Sequence, residues 1–514
     1  MKQQSDSHHS EQIFDAITDV RDALVEQAAD VPQKRRRRRW PAATAAVLAV
    51  AILGGVLLYP FGGNGGLDMA AYAIAEATYP EMAQFPDEAA FFEALQALQT
   101  QLDAGEITEE EFYTESDALN DAFNEQYDAW FAARRAQRDQ PEGYAESLDS
   151  FFQASIAQFL SGAETENRVY SPVNVYMALS MLAELTGGES RAQILSLLGS
   201  DDIASLREQA AAVWNANYSN DGALTSLLAG SVWLDTDVSF DQTPLETLAE
   251  VYHASSYQGE MGSEEMNRLL RGWLNEQTGG LLEEQVSSLA LDADTVLALA
   301  TTIYFRAKWA NEFNEANTEA DVFHGAAGDQ SADFMHATRA SYYYWGEQFS
   351  AAALSLDGGG TMWLILPDEG VSTDALLADA EAVEFLRYAE GYAEDWETSK
   401  FLTVNFSVPK FDVSGETDLT EGLRALGVTD VFDLDTADFS PLSDEALCVS
   451  KALHGARVAI DEEGVTAAAY TVMGLVGASM PPTDEVDFVL SRPFLFLVTG
   501  ETGQPLFAGV VNQP

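Results

Sequence analysis

The chain has 514 residues, and 26 Lys and Arg against 83 Asp and Glu give it a formal net charge of −57 at pH 7. A chain this acidic offers no basic face for phosphates, so nucleic-acid binding is excluded. Hydrophobic residues make up 47% of the sequence, which indicates a folded protein with a large core rather than a disordered acidic chain. The one cysteine, Cys448, excludes an intrachain disulfide and CxxC metal or redox sites.

The beginning of the chain combines a basic run with an apolar stretch. Residues 34–39 read Lys-Arg-Arg-Arg-Arg-Arg and are followed by the uncharged residues 40–60. The inner part of that stretch would rise about 27 Å as a helix, enough to cross a bilayer, and Trp40 and Tyr59 stand where interfacial aromatic residues belong. We predict a cytoplasmic segment over 1–39 and a single transmembrane anchor over 40–60, with the rest of the chain outside. The alternative is a cleaved signal peptide and a secreted protein.

Two further inferences come from this first segment. The polyarginine anchor and the alanine-rich composition indicate a bacterial protein. The segment from Ile13 to Leu24 is amphipathic, and a short surface helix without a partner is the simpler interpretation. A membrane signalling protein that acts through a cytoplasmic partner at residues 1–39 is the alternative.

An acidic helical hairpin follows a glycine-rich linker. Gly62 to Gly66 predict a flexible spacer within a linker over 61–85. Residues 86–143 then have helical periodicity, with apolar stripes at Phe91, Leu95, Leu98 and Leu102 and at Phe112, Leu119, Phe123 and Trp130.

The turn of this hairpin has its own sequence signal. Asp103 to Glu106 end the first helix, and Thr108 with Glu111 form a capping box that begins the second. The stretch from Leu98 to Leu119 resembles the SHOCT-type hairpins of many bacterial proteins. A stalk or packing element is the simpler interpretation, and a specific partner site is the alternative.

The remaining 144–514 are predicted as one domain, because the break at Asp139 to Gly143 is the last linker-like composition. Helical stretches come early, at Ser147 to Leu160, Val175 to Leu185 and Arg191 to Leu198. Strand-like stretches dominate later, at Thr361 to Leu366, Leu402 to Val408, Ala456 to Ile460, Phe488 to Leu490 and Phe494 to Val498. Segregation of this kind predicts an α+β fold with mostly antiparallel sheets.

Motifs of catalysis are missing from the sequence. It contains no GxSxG, HExxH, GxxxxGK[ST] or GxGxxG pattern. We therefore expect a protein that is not an enzyme and that uses no cofactor and no metal. His454 is interpreted as a hydrogen-bonded core histidine rather than as a member of a catalytic triad.

The most informative segment runs from Ala459 to Gly474. It begins as a strand, passes the acidic residues before Gly464, and continues with small residues. With a period of two, one face holds Val465, Ala467, Ala469, Thr471, Met473 and Leu475, all uncharged. Yet Gly464, Gly474, Gly477 and the following Met480-Pro481-Pro482 are loop signals. The segment is suited to be both loop and strand.

Residues 144–514 resemble the serpin family along their whole length. The motifs that carry the resemblance are Asn167 to Asn174, Thr302 to Trp309, Leu364 to Gly370, Val408 to Phe411, His454 with Glu462-Glu463-Gly464 eight residues later, Arg492 to Phe496 and Pro505 to Asn512. The resemblance implies the serpin fold, with an exposed reactive-centre loop. It also implies inhibition: a serine protease cuts the loop, and the cut loop inserts into the main sheet and traps the covalent acyl-enzyme.

The resemblance also assigns roles to residues of this sequence. The hinge of the loop matches Glu462, Glu463, Gly464, Val465, Thr466, Ala467, Ala468 and Ala469. Trp309 matches the breach tryptophan, and the shutter matches Ser171, Asn174, Thr301 and His454. Three positions depart from the family pattern: Tyr470 replaces a small residue, Asn174 a serine and Thr301 an asparagine.

The family's usual loop length places the reactive bond at Ala478-Ser479, to within one residue. A small residue before the bond suits elastase-like or subtilisin-like serine proteases. Trypsin-like targets are excluded, because no Lys or Arg lies between Lys451 and Arg492 except Arg457, which precedes the hinge. We expect a monomer that meets the membrane through residues 40–60. A serpin scaffold that binds without inhibiting is the alternative.

Overall fold

The computed structural model describes residues 69–222, 224–278, 287, 289–388, 396, 398–450, 452–465 and 482–514. All of them belong to one compact unit, Gly63–Pro514. The predicted cytoplasmic segment, the anchor over 40–60 and the spacer over 62–66 lie outside the described residues. Within the described ranges, no helix has the length and apolar character needed to cross a membrane.

The helices follow the predicted pattern. The three predicted for the early part of the domain all end at the predicted residue and begin one to three residues earlier. In chain order the helices are α1 (Glu88–Asp103), α2 (Glu109–Arg138), α3 (Glu146–Leu160), α4 (Pro172–Leu185), α5 (Gly188–Leu198), α6 (Ile203–Asn217), α7 (Gln242–Val251), α8 (Glu264–Gln277), α9 (Thr373–Leu377), α10 (Ala380–Tyr388) and α11 (Thr420–Ala425).

The strands form the larger part of the later sequence, and each of the five predicted strands overlaps an observed one. In chain order the strands are β1 (Ala73–Ala75), β2 (Arg168–Tyr170), β3 (Ser219–Asn220), β4 (Thr225–Asp235), β5 (Ala254–Gly259), β6 (Leu297–Lys308), β7 (Thr318–Gly325), β8 (Gly328–Trp345), β9 (Phe349–Ser355), β10 (Thr361–Pro367), β11 (Ser399–Pro409), β12 (Phe411–Asp418), β13 (Leu453–Ile460), β14 (Gly464–Val465), β15 (Glu485–Val489), β16 (Phe494–Thr499) and β17 (Pro505–Val511).

Two sheets organise these strands. The first has the order β1-β5-β4-β6-β14-β13-β12, with β3 paired to β4. The second has the order β15-β11-β8-β9-β10-β16-β17-β2, with β7 paired to β8. All described pairs are antiparallel except β4 with β5 and β11 with β15. The predicted α+β class with mostly antiparallel sheets is thus confirmed.

Helix α4 lies at the centre of the core. Nearly all of its residues are buried, and it packs against β6 of the first sheet and β17 of the second. A helix whose apolar residues extend around most of its circumference has to be buried in this way. It begins at Ser171, whose hydroxyl accepts a hydrogen bond from the Asn174 N–H at 3.2 Å, and Pro172 occupies its first position.

The acidic hairpin is present where its turn was predicted. The first helix ends at Asp103, and the capping box is confirmed: Glu111 N–H donates to the Thr108 hydroxyl at 3.2 Å, and Thr108 N–H donates to the Glu111 carboxylate at 2.8 Å. Phe91 and Phe123 join the two helices with ring centroids 4.6 Å apart. Most of the hairpin is exposed, but Trp130 and Arg134 near its end are buried against the rest of the unit.

Part of the predicted linker over 61–85 differs from the expectation. From residue 69 onward the segment contacts the rest of the unit, and β1 pairs with β5 so that Ala73 faces Tyr257. Ala77 N–H donates to the Ser255 hydroxyl at 3.1 Å. A strand of small residues can cover the edge of a sheet without bulk, and this pairing over long sequence separation was not visible in the local composition.

Candidate functional site

A tight turn closes the end of β13 and begins the predicted hinge. The Asp461 carboxylate accepts the backbone N–H groups of Glu463 at 2.9 Å and Gly464 at 3.1 Å. Asp461 N–H in turn donates to the Gly464 carbonyl at 3.1 Å. Aspartate favours such turns because its short side chain reaches backbone donors two and three residues on. The turn therefore directs the chain back along β13.

The first two residues after this turn are already a strand of the first sheet. In β14, Gly464 pairs with Lys308 and Val465 pairs with Ala307 of β6, while Val465 also pairs with Ile460 of β13. The Val465 side chain is 1% exposed. The residue predicted as the first to insert thus lies between the two central strands, with its side chain on the buried face.

Glycine is required at the first of these positions. A Cβ atom on Gly464 would lie 2.3 Å from the Ala307 carbonyl oxygen and 2.7 Å from the Lys308 Cα. Both are backbone atoms, which cannot turn away as a flexible side chain could. The close approach of β14 to β6 therefore depends on the absence of a side chain at residue 464.

Trp309 lies directly after β6 and holds the hinge from the side. Its indole N–H donates to the Asp461 carbonyl at 2.8 Å, and its backbone N–H donates to the Glu463 carbonyl at 3.0 Å. The side chain is buried, and the Phe313 ring meets it edge-on at 6.0 Å between centroids. Phe313 N–H adds a bond to the Glu462 carbonyl at 2.9 Å. The predicted breach tryptophan is therefore in direct contact with the predicted hinge.

The Glu462 carboxylate is held by Thr318, the first residue of β7, and by Lys410, which lies between β11 and β12. Lys410 forms an ion pair with it at 2.7 Å, and the Thr318 hydroxyl donates to it at 2.6 Å. Burial opposes ionisation of Glu462, but the bonds from Lys410 and Thr318 outweigh burial and leave its pKa below the ordinary value. Glu462 is therefore ionised at neutral pH and fixes the position from which the hinge departs.

The two central strands are separated below the hinge. Strand β6 pairs with β4 and β14, and β13 pairs with β12 and β14. No ladder joins β6 directly to β13 among the residues that the structure describes. β14 fills only the end of the slot between them, so it has the position of the first two residues of a further strand.

The rest of the predicted loop lies outside the described residues, including Thr466, Ala467, Ala468 and Ala469 of the hinge and the bond Ala478-Ser479. The chain returns at Pro482, whose carbonyl accepts a bond from the Thr403 hydroxyl at 3.5 Å. It then enters β15, which pairs with β11 of the second sheet. The sixteen residues 466–481 therefore connect one sheet to the other.

The predicted shutter residues meet beneath the slot. Ser171 N–H donates to the His454 Nε2 atom at 2.9 Å, so the neutral ring carries its proton on Nδ1. His454 is buried, and burial lowers its pKa to about 4. At neutral pH this histidine is therefore uncharged, which agrees with the interpretation of a core histidine.

The other two shutter residues, Asn174 and Thr301, make no described bond to the ring. Asn174 is buried on α4, next to Ser171, and its side-chain N–H₂ has no hydrogen-bond partner among the described residues. Thr301 and His454 line one cavity of about 40 Å³, together with Leu179, Leu182, Leu299 and Leu423. The His454 Nδ1 atom also has no partner within the described ranges.

Some residues of this site were not assigned from the sequence. Asp461 makes the turn, Lys410 and Thr318 hold Glu462, and Ala307 and Lys308 receive β14. An aspartate that can bond backbone N–H groups two and three residues on, followed by a glycine at the third position, is a turn signal that could have identified Asp461. Thr318 belongs to no motif identified in the sequence. Lys410 lies in the motif Val408 to Phe411, but no local pattern connects it to Glu462, because the two residues are far apart in sequence.

Comparison with known proteins gives consistent matches over this part of the chain. A family model described as "Serpin (serine protease inhibitor)" matches residues 147–514. The curated protein Serpin-ZX of Arabidopsis thaliana is 29% identical over 371 residues, which cover 68% of this chain and 93% of that protein. An alpha-1-antitrypsin-like protein of Tamias sibiricus is 31% identical over 366 residues, which cover 68% of this chain and 84% of that protein.

Solved structures are similar over the same share of the chain. The thermophilic serpin Tengpin in its native state has a TM-score of 0.65 at 25% identity, covering 73% of this chain and 95% of that one. Arabidopsis AtSerpin1, in a native stressed conformation, has a TM-score of 0.62 at 27% identity, covering 72% of this chain and 98% of that one. The family match begins at residue 147, after the acidic hairpin.

Proposed function

Because the chain belongs to the serpin family, we propose that it is an inhibitory serpin that traps serine proteases by inserting its cleaved loop between β6 and β13. The observation that carries the proposal is β14. Gly464 and Val465 are hydrogen-bonded between the central strands before any cleavage, and Val465 is buried. An inserting loop would continue from this pair, so the first residues of the new strand are already in position and in register.

The energetics of such an insertion are favourable. Each backbone hydrogen bond gained contributes about 1 kcal/mol net. Met473 and Leu475 share the inward face with Val465 when the loop is counted with period two, and their burial would add about 1.5 to 3 kcal/mol each. No charged residue or proline stands on that face from residue 465 to residue 475. Tyr470, the bulky departure from the family pattern, falls on the other face.

The proposed target is a serine protease that accepts small apolar residues. We place the reactive bond at Ala478-Ser479, so an alanine would enter the specificity pocket of an elastase-like or subtilisin-like enzyme. Cleavage after Met480 is disfavoured, because Pro481 would follow the bond and has no N–H and a fixed ring.

The test uses the full-length chain with an elastase-like protease and with the same protease lacking its active-site serine. Trapping predicts a complex that survives denaturing electrophoresis with the active enzyme alone, and mass spectrometry should find a new amino terminus at Ser479. A subtilisin-like protease serves as the second probe. Cleavage by either enzyme without complex and without a gain in thermal stability would instead support a serpin scaffold that does not inhibit.

We also propose that residues 40–60 anchor this inhibitor in the membrane with the serpin domain outside the cytoplasm. The support is the sequence: a basic run precedes an uncharged stretch bounded by Trp40 and Tyr59. Fractionation of cells should recover the chain with membranes, and deletion of residues 1–60 should release it. Recovery of the intact chain in the soluble fraction, or a mature protein lacking residues 1–60, would contradict the anchor.

A further inference from the structure

Arg134, near the end of the acidic hairpin, is anchored in the serpin domain. Its side chain is 7% exposed, and it forms ion pairs with Glu501 and with Asp221, the latter at 3.5 Å. It also donates to the Ser219 hydroxyl at 3.0 Å and to the Gly358 carbonyl. The hairpin lies outside the region that the family model matches, so these contacts are an addition of this chain to the serpin domain.

The loop that Arg134 contacts has little conformational preference of its own. Gly358, Gly359 and Gly360 follow one another with φ values of +74°, +99° and +96°. Glycine populates this region freely and therefore loses more entropy on ordering than any other residue. Such a loop needs external contacts to hold one conformation, and the bond from Arg134 to the Gly358 carbonyl is one of them.

The same loop holds the end of β6. Asp357 N–H donates to the Lys308 carbonyl at 2.7 Å, and Ala310 N–H donates to the Ser355 carbonyl at 2.9 Å. An isolated β-bridge joins Leu356 to Trp309. Lys308 and Trp309 are the residues that receive the hinge, since Lys308 pairs with Gly464 and Trp309 bonds to the Glu463 carbonyl.

We infer that Arg134 is a positioning residue for loop insertion: through the loop 355–360 it holds the end of β6 in the place where β14 pairs. This inference rests on the proposed function, which makes β14 the start of the inserted strand. When the hairpin is docked, the pairing of Gly464 and Val465 with β6 is therefore favoured. When the hairpin is released, this pairing is disfavoured.

The direction of the effect follows from these contacts. With Arg134 removed, the glycine loop gains freedom, the end of β6 loses part of its support, and the pairing of Gly464 and Val465 is populated less. Contacts of this kind modulate coupling between two sites by a factor of about 2 to 30. An insertion that starts from a less ordered hinge is slower, so more protease escapes before it is trapped.

The test is hydrogen exchange on the full-length, uncleaved chain in a neutral detergent, with three variants. Arg134→Lys keeps a cation near Asp221 but lacks the second N–H arm that reaches Gly358. Arg134→Ala removes all of the contacts. Arg135→Ala, at the exposed neighbouring position, is the matched control with the same change of charge.

In both Arg134 variants we expect about tenfold less protection of the amides of Trp309 and Phe313, which bond to the hinge carbonyls. In Arg135→Ala their protection should be unchanged. If Arg134→Ala does not fold, Arg134→Lys carries the test. Unchanged protection at residues 309 and 313 in every Arg134 variant that folds would overturn the inference and leave Arg134 as an anchor of the hairpin alone.

A second readout separates this inference from the proposed function. With the elastase-like protease, the ratio of covalent complex to cleaved chain should fall severalfold in Arg134→Lys and stay constant in Arg135→Ala. A complex-to-cleaved ratio equal to that of the unmodified chain would contradict the role in insertion. If neither the unmodified chain nor any variant forms a complex with the elastase-like or the subtilisin-like protease, although the exchange difference is present, the proposed function fails while the coupling from Arg134 to the hinge holds.

Discussion

The two ends of the slot between β6 and β13 are built differently. At the hinge end, Glu462 is held by two side chains and Val465 is already paired between the strands. At the shutter end, a cavity of about 40 Å³ lies beside His454, whose Nδ1 has no partner among the described residues. One end is thus prepared to receive a strand, and the other is loosely packed.

This difference suggests how the sheet could accept its own loop. A preordered start removes much of the entropy cost of beginning a new strand, because the first residues are already fixed. At the other end there is a cavity and a donor without a partner among the described residues, so the strands lose little when they move apart there. The two ends can be perturbed separately, and the following variants do so from the largest expected effect to the smallest.

The largest effect is expected at the hinge end from Val465→Glu. It would place a charge on the buried face, which costs several kcal/mol when the charge has no partner. The loop should still be cut by an elastase-like protease, but the covalent complex should fall by at least about a hundredfold. Val465→Ala, which loses only apolar area, should retain most of the complex. Equal complex formation by Val465→Glu and the unmodified chain would contradict a buried start of insertion.

At the shutter end, the neutral His454 predicts a pH dependence of stability. Its pKa is about 4 in the folded chain against about 6.5 when unfolded, so between these values the unfolded chain binds the extra proton. Stability is therefore full above pH 6.5 and falls by about 3 kcal/mol as the pH drops toward 4. Calorimetry should show this loss reduced in His454→Gln, whose amide oxygen can still accept from Ser171. The same pH slope in both proteins would show that His454 is not buried neutral.

The Glu462 contacts predict a smaller effect at the hinge end. Glu462→Gln should lose the ion pair with Lys410, which contributes about 1 kcal/mol because the Lys410 side chain is partly exposed to solvent. Glu463→Gln is the matched control, one residue away. The Phe313 amide, which bonds to the Glu462 carbonyl, should exchange faster in Glu462→Gln than in Glu463→Gln. The same exchange rate in both variants would show that the carboxylate does not fix the hinge.

The smallest effect is expected from Thr301→Asn at the shutter end. An asparagine oxygen could accept from the His454 Nδ1–H and fill part of the cavity, which should stabilise the uncleaved chain by about 1 kcal/mol. Thr301→Val fills similar volume to threonine without an acceptor and should not stabilise. Thermal unfolding of the two variants separates these outcomes. A melting temperature that rises equally in both would assign the effect to packing instead.

Much of the fold could be predicted because its signals are local. The capping box of Thr108 and Glu111, the apolar run of α4 and the alternating later strands all depend on residues close in sequence. The family resemblance also identified Trp309 and His454. In the structure Trp309 contacts the hinge, and His454 contacts Ser171 at the start of α4. The buried, inward-facing position of Val465 followed from its place in a period of two.

What could not be predicted depends on long-range contacts. The pairing of Ala73 with Tyr257 needs the free edge of β5, and nothing in the alanine-rich segment indicates it. The anchoring of Arg134 depends on Asp221 and Glu501, which lie far apart in sequence. The position of residue 470 relative to the sheet depends on residues outside those that the structure describes, and it stays a prediction.

The most direct test of insertion is hydrogen exchange along β6 and β13 of the full-length chain, before and after a protease cuts the loop near Ala478-Ser479. Insertion gives both strands a new hydrogen-bonded neighbour, so protection from Leu297 to Lys308 and from Leu453 to Ile460 should rise by at least about a hundredfold. Unchanged protection in both strands after complete cleavage would contradict insertion between them.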